Sequence, residues 1–263
     1  MTRILPDSPE STDQPQAIKG RGAASKREGR FESTRAEGVD DGWEHDEEAV
    51  PRPTTTVTEE RARSIISRND SPDVAFDQSI NPYRGCEHGC IYCYARPSHS
   101  YLNLSPGLDF ETKLFAKTNA VELLRAELAK ASYKVSPINL GANTDPYQPI
   151  ERRYRITRQV IEVLAEHKHP LTIVTKNALV ERDLDLLVPL AAQNLVHVFL
   201  SVTSLDNHLA AKLEPRASAP HRRIEAIAEM FSIINQIALS IARTKAHHRG
   251  SIPANIQKRA AAA

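Results

Sequence analysis

No stretch of this sequence approaches the roughly 20 consecutive apolar residues that a membrane-spanning helix needs. The opening MTRILPDSPE has no apolar core of the kind a secretory signal carries. Together these absences predict a cytoplasmic chain with no membrane role. Cysteine is scarce, with three in 263 residues, all between Cys86 and Cys93. An odd, clustered set excludes a disulfide scaffold and, in a reducing compartment, points to a metal. A charge surplus is missing too. Lys and Arg number 34 against 33 Asp and Glu, a net +1, so nothing global argues for a nucleic-acid or membrane partner. A nucleic-acid partner stays open but unsupported.

The chain is long enough for one large domain or two small ones, and its polarity is uneven. Residues 1 to 55 are punctuated by Pro6, Pro9, Pro15, Pro51 and Pro53 and poor in large apolar side chains, which predicts a disordered segment. Within it EGVDDGWEHDEE (37–48) holds seven acids and no Lys or Arg, a block that repels itself and stays solvated. Before it, KGRGAASKREGRF carries Lys19, Arg21, Lys26, Arg27 and Arg30 with three glycines. This reads as a flexible tail, or as an arm on an anionic partner or on the body's own surface.

From residue 56 to 229 the pattern alternates. VAFDQSINPYRGC reads as extended. TNAVELLRAELAKA reads as a helix with Val121, Leu124 and Leu128 on one face and capping-box spacing between Asn119 and Glu122. PINLGA (137–142) reads as a buried strand, TRQVIEVLAEH as a helix with Val160, Ile161 and Leu164 inside, and LTIVT (171–175) as a strand. ERDLDLLVPL reads as a short helix or turn closed by Pro189. LVHVFLSVTS (195–204) reads as a strand, and APHRRIEAIAE as a helix opened by Pro220. Strands and helices alternating in units of roughly 30 residues predict an α/β fold with a parallel sheet and crossover helices. In such folds functional residues gather past the C-terminal ends of the strands.

The three cysteines stand as Cys-x3-Cys-x2-Cys in CEHGCIYC. Thiolates are soft ligands suited to iron–sulfur clusters or zinc. Gly85 and Gly89 let the loop turn tightly enough for three sulfurs to converge. Three readings compete. One is a [4Fe–4S] cluster held by Cys86, Cys90 and Cys93, with one iron lacking a protein thiolate and so open to chemistry. A second is zinc held by the same cysteines with His88 or a distant histidine. The third is a set of buried, inert thiols.

With its aromatic Tyr92, CEHGCIYC resembles the cluster loop of radical S-adenosylmethionine (radical SAM) enzymes. INPYRGCEHGCIYCYAR, NTDPYQPIE (143–151), VTKN (174–177) and LEPRA (213–217), in that order, resemble the branch related to spore photoproduct lyase, as does KGRGA followed by RFE. The resemblance implies a partial, TIM-type parallel barrel after a disordered N-terminal segment. It implies a [4Fe–4S] cluster on Cys86, Cys90 and Cys93, with S-adenosylmethionine chelated to the fourth iron. Reductive cleavage to a 5′-deoxyadenosyl radical would then abstract hydrogen from a substrate, with an electron donor such as flavodoxin or ferredoxin as partner. It also implies that Lys176 meets the carboxylate of S-adenosylmethionine.

Ser201 and Thr203, two apart on an apolar strand, share a face and suit hydrogen bonding to carboxylate or ribose, or are satisfied core hydroxyls. Many relatives hold the methionyl amine with a Gly-Gly-Glu stretch where this chain has Asn143, Thr144 and Asp145. Asn143 and Asp145 are therefore candidates for that contact, against plain turn chemistry before Pro146. Tyr147 and Gln148 face the cavity or cap the turn. Tyr92 and Tyr94 shield the cluster and adenine or are core aromatics. Glu214 and Arg216 form an ion pair at the rim or on the surface. Arg152, Arg153 and Arg155 suit phosphate or a solvated face. Spore photoproduct lyases use a further cysteine as hydrogen donor; all three here are spoken for, so that route and its substrate do not carry over.

From Met230 the last 34 residues contain no Asp or Glu and five Lys or Arg and resemble nothing in the family. Residues 230–263 read as an atypical basic segment of a truncated or frame-shifted member. Two alternatives stand beside an active enzyme: an inactive fragment that still binds a cluster, and a non-enzymatic zinc or iron–sulfur module.

Overall fold

The computed structural model describes residues 18, 20–23, 25, 53–74 and 76–233. The acidic block at 37–48, the basic residues Lys19, Lys26, Arg27 and Arg30, and everything beyond 233 lie outside them. In chain order the strands and α-helices are β1 (Thr56–Glu60), β2 (Ile66–Arg68), β3 (Gln78–Ile80), β4 (Tyr83–Arg84), α1 (Leu108–Thr112), β5 (Lys113–Lys117), α2 (Ala120–Leu128), β6 (Ile138–Leu140), α3 (Glu151–Tyr154), α4 (Ile156–Glu166), β7 (Leu171–Thr175), α5 (Leu184–Ala191), β8 (Val196–Leu200) and α6 (Asn207–Leu213). A last helix, α7, runs over 220–233.

Five strands form the main sheet in the order β2-β3-β6-β7-β8. β3, β6, β7 and β8 run parallel, and β2 closes one edge antiparallel. Every residue of β3 and β6 is buried, as expected of strands covered on both faces. β7 alternates, with Leu171, Ile173 and Thr175 buried. The register sets Gln78 beside Ile138, Ile138 beside Leu171, and Leu171 beside Val196. The four parallel strands therefore start level, and the segments leaving their C-terminal ends emerge on the same edge. This is a mixed α/β partial barrel, with four parallel strands among the described residues against the eight of a closed one. A smaller sheet, β1-β5-β4, sits beside it.

α4 covers the main sheet with Val160, Ile161 and Leu164, all without solvent exposure, in one core with Leu124 of α2 and Leu187 and Leu190 of α5. α7 begins at Pro220, the first helical position, and runs on across residue 229; its Met230 packs against the main core.

Three local expectations are corrected. Asn119 makes no side-chain cap on α2. Its amide instead accepts from Ala62 N and donates to Ala62 O, both at 2.9 Å, because the backbone entering from β1 leaves that pair of groups to be satisfied. Pro189 does not close α5 but sits inside it. The hydrogen bond it forfeits would end on Asp185, and both residues face water, so the freed carbonyl is hydrated rather than stranded. β8 stops at Leu200, so Ser201 and Thr203 lie beyond the strand rather than on one of its faces. Within the segment expected to be disordered, a few described residues contact the body. Arg21 donates to Glu111 O and Thr55 Oγ1, and Gly22 N and Ala23 N donate to the Glu111 carboxylate.

Candidate functional site

The cysteine loop leaves β4 and crosses the edge where the parallel strands end. Gly85 and Gly89 carry positive φ, 73° and 67°, which a side chain disfavours. A Cβ on Gly85 would also lie 2.8 Å from Phe110 O. Partners from several elements pin the loop. Cys86 N donates to Phe110 O at 2.9 Å and Ile91 N to Leu213 O at 3.0 Å. Gln148 accepts from Glu87 N and donates to Gly85 O, both at 3.0 Å. Arg96 donates twice to Cys90 O, at 2.8 and 3.1 Å. Gln148 thus caps the loop, and Tyr147 is fully buried.

All three cysteines open onto one cavity of about 170 Å³. His88 and Tyr94 join them from the loop, Asn143, Thr144 and Asp145 from the turn after β6, Thr175 and Lys176 from the end of β7, and Ser201 from just past β8. Burial, reinforced by nearby Asp145, pushes the Cys86 thiol well up. Burial and then Glu214 push Cys90 up to about 12. Without a metal these two are protonated thiols, and ligation requires a cation strong enough to displace the protons.

Around the thiols the polar groups are already organised. Asp145 accepts from Tyr147 N and Thr175 Oγ1 through one oxygen and from Lys176 N through the other, which also lies 3.2 Å from His88 Nδ1. Burial works to raise its pKa, but His88 and these donors outweigh it and hold the carboxyl below its usual range. His88 Nε2 lies 3.3 Å from Asn177 Nδ2, so both ring nitrogens face protein groups. Among the described residues no three His, Cys, Asp or Glu side chains close on one ion-sized point; in a cubane cluster each cysteine takes its own iron.

Lys176 Nζ lies 3.4 Å from Glu214 Oε1 and 5.7 Å from the centre of the Tyr92 ring. Burial would lower its pKa, but Glu214 and then Tyr92 outweigh it, so the ammonium is held more firmly than usual. Glu214, with no side-chain exposure, also pairs with Arg223 at 2.6 Å and accepts from Thr203 and the Tyr92 hydroxyl. Arg223 in turn donates to Ser201 O at 2.8 Å and Ser218 O at 2.6 Å.

The structure brings Cys86, Cys90, Cys93, Asn143, Asp145, Lys176 and Ser201 to one cavity. Tyr92 stands apart from that lining, half exposed, with its hydroxyl on Glu214 and Thr203. Tyr94 is largely exposed, its hydroxyl on Ala142 O. The expected pair of Glu214 with Arg216 does not form. Glu214 is taken by Arg223 and Lys176, and Arg216 binds Glu87 at 2.7 Å. Arg152, Arg153 and Arg155 are exposed. Sequence reasoning missed the His88–Asp145 contact, Arg223 and the buried Glu111. His88 and Glu111 meet partners far away in sequence, Arg223 reaches Glu214 nine residues back across a turn, and no spacing rule marks such pairs.

Comparison with known proteins bears on this site. The family model described as the Radical SAM superfamily matches residues 80–241. An uncharacterized protein of Mycobacterium bovis is 41% identical over 162 residues, covering 60% of this chain and 48% of the relative. An uncharacterized protein of Methanocaldococcus jannaschii is 28% identical over 152 residues, covering 58% of this chain and 54% of its own. The chain spans about half the length of the curated relatives it matches. Among solved structures, a cysteine-to-serine mutant of spore photoproduct lyase is similar at 16% identity and a TM-score of 0.46, covering 67% of this chain and 48% of that one. No helix among the described residues is long and apolar enough to cross a membrane.

Proposed function

The chain belongs to the radical SAM superfamily, and we propose that it is an enzyme of that family in which Cys86, Cys90 and Cys93 hold a [4Fe–4S] cluster and the cavity beside them takes S-adenosylmethionine. One observation carries the reading: three thiols from one loop line the same cavity as Lys176 and Ser201, which stand at the ends of parallel strands. Cys86, Cys90 and Cys93 would hold the cluster, which would supply one electron, from a donor such as flavodoxin or ferredoxin, for reductive cleavage of the sulfonium and hydrogen abstraction from a substrate.

The residues then divide the work of orientation. Lys176, held protonated beside Glu214, is placed to share its charge with the cofactor carboxylate. Ser201 offers a hydroxyl to the carboxylate or ribose. Asn143 is the cavity-lining candidate for the methionyl amine. Asp145 is engaged by His88, Thr175 and backbone N–H groups, so we assign it to holding the cysteine loop against the end of β7. Tyr92 acts one step away, beneath the Lys176 ammonium.

Anaerobic reconstitution tests the reading. The protein is expected to take up about four irons with matching sulfide, the count of one cubane, and to form 5′-deoxyadenosine from S-adenosylmethionine on reduction. Replacing Cys86, Cys90 or Cys93 with Ala is expected to abolish both. Stoichiometric zinc without sulfide would overturn it.

A further inference from the structure

Glu111, on α1, is buried without side-chain exposure, yet it lies outside the cavity lining. Three donors surround its carboxylate: Gly22 N at 3.1 Å, Ala23 N at 2.8 Å and Arg96 Nη2 at 2.6 Å. Two of the three come from a segment 88 and 89 residues away in sequence. The same Arg96 guanidinium makes the two bonds to Cys90 O and a third to Gly107 O at 3.1 Å. The carbonyl of the middle cysteine is therefore placed by an arginine, the arginine by a buried carboxylate, and the carboxylate is satisfied by two backbone N–H groups near the N-terminus.

Contact is also direct. A Cβ on Gly22 would lie 1.8 Å from Gly89 O and 3.1 Å from Ile91 Cγ2, so only glycine lets this backbone lie flat on the loop. One residue earlier Arg21 donates to Pro53 O and Thr55 Oγ1 at 3.1 and 2.8 Å, and Thr55 donates to Glu87 Oε1 at 2.7 Å. Ser25 O accepts from Leu108 N at 3.1 Å, beyond the far end of the contact.

From this chain of contacts we infer that residues 20–23 are a strap that positions the cysteine loop, with Gly22, Glu111 and Arg96 as positioning residues for the cluster ligands. The inference rests on the proposed cluster only for its purpose; the strap itself is a property of the metal-free chain. Leaving Glu111 without its N–H donors leaves a buried carboxylate with Arg96 as its remaining donor among these three. Its pull on Arg96 then changes, and the Cys90 carbonyl loses its fixed partner.

The test uses the full-length, metal-free protein. Alkylation of Cys86, Cys90 and Cys93 is monitored separately by mass spectrometry in the wild type, Gly22→Ala and Glu111→Gln. Cys90 is expected to react about tenfold faster in both variants, the effect of losing one charge-assisted hydrogen bond. Cys86, whose N–H is held by Phe110 O and not by Arg96, is expected to change less. Glu111→Asp, which keeps the charge, is expected to recover part of the protection. After reconstitution the variants are expected to give an altered electron paramagnetic resonance signal from the reduced cluster. Should Gly22→Ala fail to fold, hydrogen exchange in the wild type decides. The Gly22 and Ala23 amides must be protected together with the Cys90 loop, and free-peptide exchange at Gly22 and Ala23 beside a protected loop overturns the strap. Unchanged Cys90 alkylation in folded variants overturns it too. Neither outcome touches the cluster reading, which stands or falls on iron and sulfide content.

Discussion

Glu214 carries two cations, and their different burial separates a contact of the fold from the proposed contact to the cofactor. Arg223 is 1% exposed and pairs with a fully buried carboxylate, and its other donors hold the carbonyls of Ser201 and Ser218. Breaking such a pair leaves an uncompensated buried charge. Glu214→Gln is therefore expected to cost about 3–5 kcal/mol of stability, read as a fall in denaturation midpoint, and to loosen the backbone at Ser201. Lys176 is the looser partner, 22% exposed and 3.4 Å away. Removing it leaves Glu214 with Arg223, Thr203 and Tyr92, so the fold has little to lose. Lys176→Ala is expected to keep its iron content and melting temperature while weakening S-adenosylmethionine binding by about 1.5–3 kcal/mol, the value of one hydrogen bond to a charged group. Unaltered affinity by calorimetry would make Lys176 a partner of Glu214 alone.

The helices and strands show which parts of the sequence could be read directly. β7 has the span that its alternating, β-branched pattern predicts, and α4 differs from its expected span by one residue at each end, because periodicity and burial there reinforce each other. Leu164, unexposed in the core of α4, is accordingly expected to cost about 2–5 kcal/mol as Leu164→Ala. The cysteine loop and the strand-end position of Lys176 were legible for a similar reason, since local spacing and strand ends carry their own signal. What was not legible depends on distant partners. Asn119 has the spacing of a cap but serves Ala62, and Glu111 looks like any surface acid until the N-terminal backbone meets it. In the small sheet, Lys117 ends β5 with its pKa lowered to about 8, chiefly by burial and then by Arg84. Below pH 8 it is charged in both folded and unfolded chains, and burial of the cation costs stability in full. Between about 8 and the ordinary value of 10.5 the unfolded chain binds the proton and the folded chain does not, so stability rises with pH across that window. Lys117→Met is expected to raise the melting temperature at pH 7, with the gain shrinking toward pH 10.5; a gain independent of pH would assign the effect to packing.

At the scale of the molecule the cysteine loop is where separate parts of the chain meet. Residues 20–23 reach it through Glu111 and Arg96, the turn after β6 through Gln148 and through Asp145 to His88, the end of α6 through Leu213 O, and the turn beyond it through Arg216 N, which donates to His88 O at 3.2 Å. A ligand that binds only the ordered loop stabilises everything whose order depends on it, and a metal centre couples to folding because its ligands are not arranged in the unfolded chain. Cluster loading is therefore expected to raise the melting temperature of the whole chain. It is also expected to slow hydrogen exchange at 20–23, 142–148 and 213–218, none of which supplies a proposed ligand to the cluster irons. Measured on the metal-free and reconstituted protein, slowing at all three segments together with 86–93 would show that the loop ties them into one cooperative unit. Slowing confined to 86–93, with an unchanged melting temperature, would show that the loop orders around its metal without the rest of the molecule. In that case the hydrogen bonds between the loop and Gln148, Leu213 O and Arg96 would be contacts that the fold makes anyway and the cluster does not use.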